Sequence, residues 1–94
     1  QSINFFNRSL IENITLSFLD NKEIDLDWVN KLIKLLSLED LVNSLPNGIF
    51  TDLGENLHQL SGGQRQRVSI ARALYKKKTI ILIKEANNRL KIHN

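Results

Sequence analysis

One run of β-favouring residues, Thr79-Ile80-Ile81-Leu82-Ile83, most constrains the fold of this chain. Its length and apolar character are typical of a strand that is buried on both faces. No other segment has the pattern of a strand that could pair with it, and an isolated strand is not stable. We therefore expect a strand over 79–85 whose sheet lies in sequence that this chain lacks, beside a mainly helical remainder.

Two segments before residue 37 have the start signals of helices. Ser9 and Glu12 have the spacing of a capping box, which predicts a helical turn. From Asp25, the expected N-cap, to Leu36 the apolar residues recur at intervals of three and four, as they do on a one-faced helix. Trp28 widens the apolar face, and we assign it to packing rather than to ligand stacking.

Two further helices are expected after residue 36. A second capping box, Ser37-Leu38-Glu39-Asp40, predicts a short helix that the turn sequence Pro46-Asn47-Gly48 ends. The stretch 49–59 has no clean periodicity and is expected to be an ordered loop. Ser61 and Gln64 repeat the capping-box spacing, and the apolar positions after them predict a helix as far as Tyr75.

Composition places the chain in a narrow class. Its 94 residues, 41% of them hydrophobic, fit one small domain or a piece of a larger one. The chain begins with Gln1 and contains no methionine, so we expect that sequence precedes it. It has no cysteine, which favours an intracellular protein. No stretch is long enough to span a membrane, so we expect any membrane association to come through a partner. A net charge of +3 permits nucleic-acid binding, but the lysine cluster 76–78 is more typical of a solvated turn.

The segment Ser61-Gly62-Gly63 has the chemistry of an anion site. Glycines lack Cβ atoms and let the backbone approach a phosphate, and the first N–H groups of a helix have no partner inside it. Ser61 adds a hydroxyl group. The same residues could also be a well-capped helix start with no ligand, and the segment alone does not decide between these interpretations.

The segment Leu60–Leu74, which reads LSGGQRQRVSIARAL, closely resembles the signature motif and helix of ABC-transporter ATP-binding cassettes. This resemblance implies a mainly α fragment, with a helical subdomain, the signature helix and one strand, of an α/β P-loop NTPase cassette. In that family the signature residues of one cassette contact the γ-phosphate of ATP held by the opposite cassette. The nucleotide-binding residues implied are Leu60, Ser61, Gly62, Gly63 and Gln64.

Other landmarks of the family follow the same order along the chain. Gln1 lies where the family has a glutamine that senses magnesium and faces the membrane domain. The segment 51–55 resembles the loop that contacts the coupling helices in exporters, and its site residues are Thr51, Gly54 and Glu55. The glycine usual two places after that glutamate is replaced by Leu57, or by Asn56 if the spacing is counted one residue earlier. The resemblance therefore implies an exporter-like subtype with an imperfect coupling loop.

The predicted strand differs from the family at the metal position. The family has Asp-Glu at its end, where the aspartate holds Mg²⁺ and the glutamate polarises the attacking water; this chain has Lys84 and Glu85. Glu85 is thus the implied catalytic residue. At about 5 Å and an effective dielectric constant near 20, each unit charge interacts with Mg²⁺ by roughly 6 to 7 kcal/mol, so a lysine opposes binding. No metal-ligand cluster is evident elsewhere.

The sequence thus leads to a hypothesis and its alternatives. The resemblance implies that the chain is a partial cassette with four parts. Residues 1–59 are the helical subdomain and the loop before the signature, 60–75 are the signature motif and its helix, 79–85 are the strand, and 86–94 are a divergent tail. The phosphate-binding loop, the adenine-stacking aromatic and the switch histidine are absent, so we expect no ATP hydrolysis by the chain alone.

The leading hypothesis is a partial cassette that contributes its signature motif to ATP hydrolysis driving export. Its expected cofactors are ATP and Mg²⁺, although Lys84 opposes the binding of Mg²⁺. Its expected partners are a second cassette and a transmembrane domain, at the cytoplasmic face of a membrane. The alternatives are a non-catalytic module that closes a partner's ATP site and a basic nucleic-acid-binding module. We expect no nucleic-acid partner.

Overall fold

The computed structural model describes the backbone of residues 4–93, and side chains there except those of 79–83, 85, 86 and 89–93. Within this part of the chain the structure is helical. The α-helices are α1 (Leu10–Thr15), α2 (Ser17–Asp20), α3 (Leu26–Leu35), α4 (Glu39–Ser44), α5 (Leu53–Asn56) and α6 (Gly62–His93). Two 3₁₀ turns, Gly48–Phe50 and Leu57–Gln59, flank α5.

Helix α1 begins as its sequence predicts. The Ser9 hydroxyl accepts a hydrogen bond from the Glu12 N–H, and the Glu12 carboxylate accepts one from the Ser9 N–H, at 3.2 Å each. This reciprocal pair is the capping box, so that prediction is confirmed. Arg8 adds an ion pair to Glu12 at 3.1 Å. Partial burial raises the pKa of Glu12, but the hydrogen bonds from Ser9 and the nearby Arg8 outweigh it and lower that pKa overall.

Helix α3 also follows its prediction, whereas the start of α4 does not. Asp25 is the N-cap of α3 and accepts a hydrogen bond from the Trp28 N–H at 3.1 Å. The second capping box is wrong: Leu38 is the N-cap of α4, and no side chain caps it. Ser37 instead has φ +56° and donates its N–H to the Lys34 carbonyl. It therefore belongs to the turn that ends α3, where a left-handed residue satisfies the last carbonyls.

The turn at Pro46-Asn47-Gly48 is confirmed, with Gly48 at φ +55°. The segment 49–59, expected to be an ordered loop, consists of short turns of helix. Asp52 caps α5 by accepting a hydrogen bond from the Gly54 N–H at 2.8 Å. This segment lacks periodicity because each of its turns is too short to show one.

The long helix α6 begins where expected but ends far beyond Tyr75. Its backbone is helical to His93, so the strand predicted over 79–85 is wrong in this structure. Within residues 4–93 the only β pairing is an isolated antiparallel bridge between Ser9 and Asp52. A strand needs a neighbour to accept its backbone hydrogen bonds, whereas a helix satisfies most of them internally. Without a neighbouring strand, the β-favouring run continues the helix that precedes it.

The core lies where α1, α3 and α6 pack against one another. Each of these helices contributes fully buried apolar side chains, and the segment before α6 adds two more; the set includes Leu10, Ile14, Val29, Leu32, Leu53, Leu60, Val68 and Ala71. Burying one leucine or isoleucine side chain stabilises a fold by about 1.5–3 kcal/mol. Trp28 packs against the edge of this core, which confirms its structural assignment. The mainly helical fold class is likewise confirmed.

Candidate functional site

The start of α6 is held by side chains on both sides of the glycine pair. The Ser61 hydroxyl accepts a hydrogen bond from the Gln64 N–H at 3.1 Å. The Gln64 side-chain oxygen accepts one from the Ser61 N–H at 2.9 Å. The predicted capping box is therefore present at the predicted residues, and it orients the first turn of the helix.

The glycine pair itself is open to solvent. Ser61, Gly62 and Gly63 are all exposed, and a Cβ placed on Gly62 would meet no atom within 4 Å. A Cβ on Gly63 would lie 3.2 Å from Nη1 of Arg67. In the first turn of a helix the N–H groups of Gly62 and Gly63 have no intrahelical acceptor. The described residues thus leave two backbone donors, at the positive end of the helix dipole, on an open surface that fits a phosphate group.

Contacts of Leu60 and Arg65 fix this open turn to the rest of the molecule. Leu60, directly before it, is 4% exposed and packs in the core cluster. Arg65 donates a hydrogen bond from Nη2 to the Leu57 carbonyl at 3.1 Å, which ties α6 to the preceding 3₁₀ turn. Leu60 also donates its N–H to Leu57 at 3.1 Å. Of the five signature residues predicted, Leu60 thus anchors the turn while the next three face solvent and Gln64 caps it.

The predicted coupling loop lies against the segment before α1. Thr51 is buried, and its carbonyl accepts a hydrogen bond from the Leu10 N–H at 2.9 Å. Leu53 donates its N–H to the Arg8 carbonyl, also at 2.9 Å. Glu55, in contrast, is exposed on α5. The loop is therefore bonded to residues 8–10, an arrangement that no local sequence signal predicts.

Gly54 has a steric reason to be glycine. A Cβ at this position would overlap the side chain of Asn7 and would lie 3.1 Å from the Asn7 Cα atom. Such a distance to a backbone atom is too short for an ordinary contact. A side chain at this position would therefore require the Asn7 side chain to move and the predicted coupling loop to shift away from Asn7.

Asn13 and Arg72 form a second connection that the sequence analysis missed. Asn13 is fully buried, and its carbonyl accepts a hydrogen bond from Arg72 Nε at 2.8 Å. The Arg72 guanidinium lies 5.4 Å from the ring centre of Phe6, within cation–π range. Burial lowers the pKa of Arg72 from its ordinary value. The one available signal was an asparagine among the apolar residues Leu10, Ile11 and Ile14.

Trp28 and Lys78 line a concave surface on another side of the molecule. Lys78 forms an ion pair with Asp25, and its ammonium lies 5.4 Å from the Trp28 ring centre. The hydrogen bond from Lys78, followed by that from the Trp28 N–H, lowers the pKa of Asp25. One of the three clustered lysines is thus engaged within the chain, whereas Lys76 and Lys77 are exposed.

Two predicted site residues cannot be placed. Gln1 lies outside the described residues, and the side chain of Glu85 is not among those described. Lys84, which the resemblance aligns with a metal-binding aspartate, is exposed. In the described part of the chain no three His, Cys, Asp or Glu side chains group together as metal ligands. No helix in this part is long and apolar enough to cross a membrane.

A sequence model of the family described as "ABC transporter" matches residues 1–88. The chain belongs to the ABC transporter family. An ATP-dependent lipid A-core flippase of Ralstonia nicotianae is 40% identical to this ABC cassette over 90 residues, which are 96% of the chain and 15% of the flippase. P-glycoprotein 14 of Caenorhabditis elegans is 39% identical over 96% of the chain, and an ABC-type transporter of Aspergillus fumigatus is 41% identical over 90%. The chain spans 7% of each of these two proteins.

These similarities confirm the prediction, made from the motif, of an exporter-like, transport-coupled ATP-binding cassette. The structure of the described residues is mainly helical, as expected for this part of a cassette. The family binds ATP, generally with Mg²⁺. Because the chain spans a small share of each relative, substrates and partners of a whole transporter do not follow from the match.

Proposed function

We propose that this chain supplies the signature face of an ATP-binding cassette and, across a dimer, binds the γ-phosphate of ATP held by a second cassette. The observation that carries the proposal is the open turn Ser61-Gly62-Gly63 at the start of α6. Its unpaired N–H groups and hydroxyl offer the donors that a terminal phosphate requires. Closure of the two cassettes around ATP would then drive export through a transmembrane domain.

The partners follow from the same proposal. The second cassette contacts the exposed turn at residues 60–64, and the transmembrane domain contacts the coupling loop with Thr51, Gly54 and Glu55. Gln1 would lie beside that contact as the residue that senses magnesium. The cassette then works at the cytoplasmic face of a membrane, held there by its membrane partner, and it takes no nucleic acid.

Glu85 is proposed as the catalytic base of the site that this chain itself would complete. Mg²⁺ at that site would stabilise the charge of the phosphates, but the described residues provide no set of ligands for it. Lys84 places an ammonium group where the family has a carboxylate, and repulsion of a divalent cation is the expected consequence. No step of the proposal therefore passes through Mg²⁺ held by this chain.

Lys84 favours a second candidate function, a degenerate cassette that closes its partner's ATP site without turning over ATP at its own. Both candidates use the signature turn in the same way. They differ only in whether the site near Lys84 and Glu85 hydrolyses ATP.

Substitution of Ser61 tests the signature role. In the transporter that contains this cassette, Ser61→Ala should lower ATP turnover roughly tenfold or more, since it removes a donor to the γ-phosphate. Ser69→Ala, on the same helix but away from its start, is the matched control and should leave turnover unchanged. Equal turnover in the two variants would contradict the proposal.

Substitution of Lys84 separates the two candidates. Restoring a carboxylate with Lys84→Asp should raise Mg²⁺-dependent ATP turnover if this chain is a degenerate cassette with an otherwise intact site. Turnover that stays the same or falls would favour the first candidate, in which the site hydrolyses ATP with Lys84 in place. Lys76→Asp, an equal change of charge on an exposed residue, controls for a general electrostatic effect.

A further inference from the structure

The buried residue Asn13 lies between the proposed coupling loop and the signature helix α6. The side chain of Asn13 is 0% exposed, and its Oδ1 accepts a hydrogen bond from the Phe6 N–H at 2.8 Å. Its Nδ2 lies within hydrogen-bonding distance of three carbonyl groups, those of Phe6 at 3.1 Å, Arg8 at 3.0 Å and Ser9 at 2.9 Å. One side chain thus fixes the path of residues 6–9.

The coupling loop rests on that same path. Leu53 donates its N–H to the Arg8 carbonyl, which is one of the carbonyl groups that Asn13 binds. Gly54 lies against Asn7 so closely that a Cβ could not be accommodated without a shift. A displacement of the coupling loop must therefore displace residues 7 and 8, or break these contacts.

Arg72 connects the same asparagine to the signature helix. Its Nε donates to the Asn13 carbonyl at 2.8 Å, and its Nη2 lies 3.4 Å from Asn13 Oδ1. Arg72 and Gly62 belong to the same helix, so the two are about 15 Å apart along the axis at 1.5 Å per residue. A hydrogen-bonded helix moves nearly as a rigid rod, and a shift at Arg72 reaches the open turn.

We propose that Asn13 and Arg72 are positioning residues that pass a displacement of the coupling loop to the signature turn. This inference rests on the proposed function and names the residues through which the membrane partner acts on the phosphate-binding end of α6. Neither residue touches the nucleotide.

A polar link suits this task better than the apolar contacts around it. Ile14, Val68 and Ala71 supply apolar packing between α1 and α6, which holds the helices together but depends little on the orientation of each single contact. Hydrogen bonds are directional and hold one register. Burial of the guanidinium disfavours its charged form and lowers the pKa of Arg72. The Asn13–Arg72 link therefore carries a desolvation cost that apolar side chains at these positions would not have.

The test is a double-mutant cycle in the intact transporter, with ATP turnover measured without added transport substrate. Arg72→Met should lower kcat roughly five- to tenfold while the KM for ATP changes less than about twofold, because ATP is held by the opposite cassette. Gly54→Ala, which pushes the coupling loop from Asn7, should also lower kcat. If both changes interrupt one connection, the double variant should be no slower than the slower single variant.

Conservative and control variants distinguish positioning from loss of folding. Arg72→Lys keeps a cationic donor for the Asn13 carbonyl and should recover a large part of kcat. Lys76→Met removes a positive charge from an exposed position on the same helix and should leave kcat unchanged. Thermal unfolding of each variant, with and without ATP, reports the folded fraction by which kcat is corrected.

Each remaining outcome overturns the inference. If the effects of Arg72→Met and Gly54→Ala multiply, the two residues act independently and stabilise the fold only. The same conclusion follows if the corrected kcat of Arg72→Met equals that of the wild type. If Ser61→Ala leaves turnover unchanged, the proposed function is refuted and this inference with it. If Ser61→Ala lowers turnover strongly but the effects of Arg72→Met and Gly54→Ala multiply, only this inference is refuted.

Discussion

Replacing Asn13 by leucine is the sharpest test of the packing described for this cassette. Leucine has a similar volume and keeps the apolar contacts of α1, but it removes every hydrogen bond of the amide group. The consequences for the three carbonyl partners are small, because each keeps another donor. The carbonyl of Phe6 still accepts from Arg8, that of Arg8 from Leu53, and that of Ser9 from the Asn13 backbone.

The main loss falls on the Phe6 N–H, whose acceptor in the described structure is Asn13 Oδ1. Leaving one partly buried donor without a partner costs about 1–3 kcal/mol. Each of the three weakened carbonyl interactions lowers the free energy of unfolding further, by about 0.5 kcal/mol, and burial of the apolar leucine raises it by about 1 kcal/mol. The free energy of unfolding should therefore fall by about 1.5–3.5 kcal/mol.

Urea unfolding followed by the fluorescence of Trp28, the single tryptophan of the chain, measures this change. Asn30→Leu, an equal substitution at an exposed position of α3, is the matched control and should change stability by less than about 0.5 kcal/mol. If Asn13→Leu costs no more than Asn30→Leu, Asn13 does not organise residues 6–9 and the described network is refuted.

Three further substitutions or conditions have expected effects on the urea midpoint. Gly54→Ala should destabilise the cassette by about 1–3 kcal/mol through overlap with Asn7, and the added change Asn7→Gly should recover part of that loss; no recovery would contradict the overlap. Ser37→Gly should stabilise by about 0.5–1 kcal/mol because Ser37 has φ +56°, and a destabilised variant would contradict that backbone assignment. Although burial raises the pKa of Glu12, the hydrogen bonds from Ser9 outweigh this effect and lower the pKa overall, so the contribution of Glu12 to stability is present above pH 4.5 and is lost as the pH falls through the folded-state pKa. Glu12→Gln should make the free energy of unfolding depend less on acid pH, and an unchanged pH dependence would refute this reasoning.

The starts of α1, α3 and α6 could be predicted from the sequence because their signals act over three residues. Ser9, Asp25 and Ser61 each cap the helix that the following apolar pattern continues. The open turn at Gly62 is likewise a local feature, since glycine and helix polarity create it without help from distant residues. The same local rules failed at Ser37, where the end of one helix and the start of the next compete for one serine.

Tertiary structure decided the contacts between distant segments. Asn13 and Arg72 are 59 positions apart, and only the packing of α1 on α6 brings a carbonyl and a guanidinium together. Gly54 meets Asn7 for the same reason. The run 79–83 is β-favouring in sequence but helical in the structure, because a strand is stable only with a neighbour that accepts its hydrogen bonds. The sequence by itself therefore determined the caps and the open glycine turn at the start of α6, whereas the contacts of Asn13 with Arg72 and of Gly54 with Asn7 form only after the helices pack.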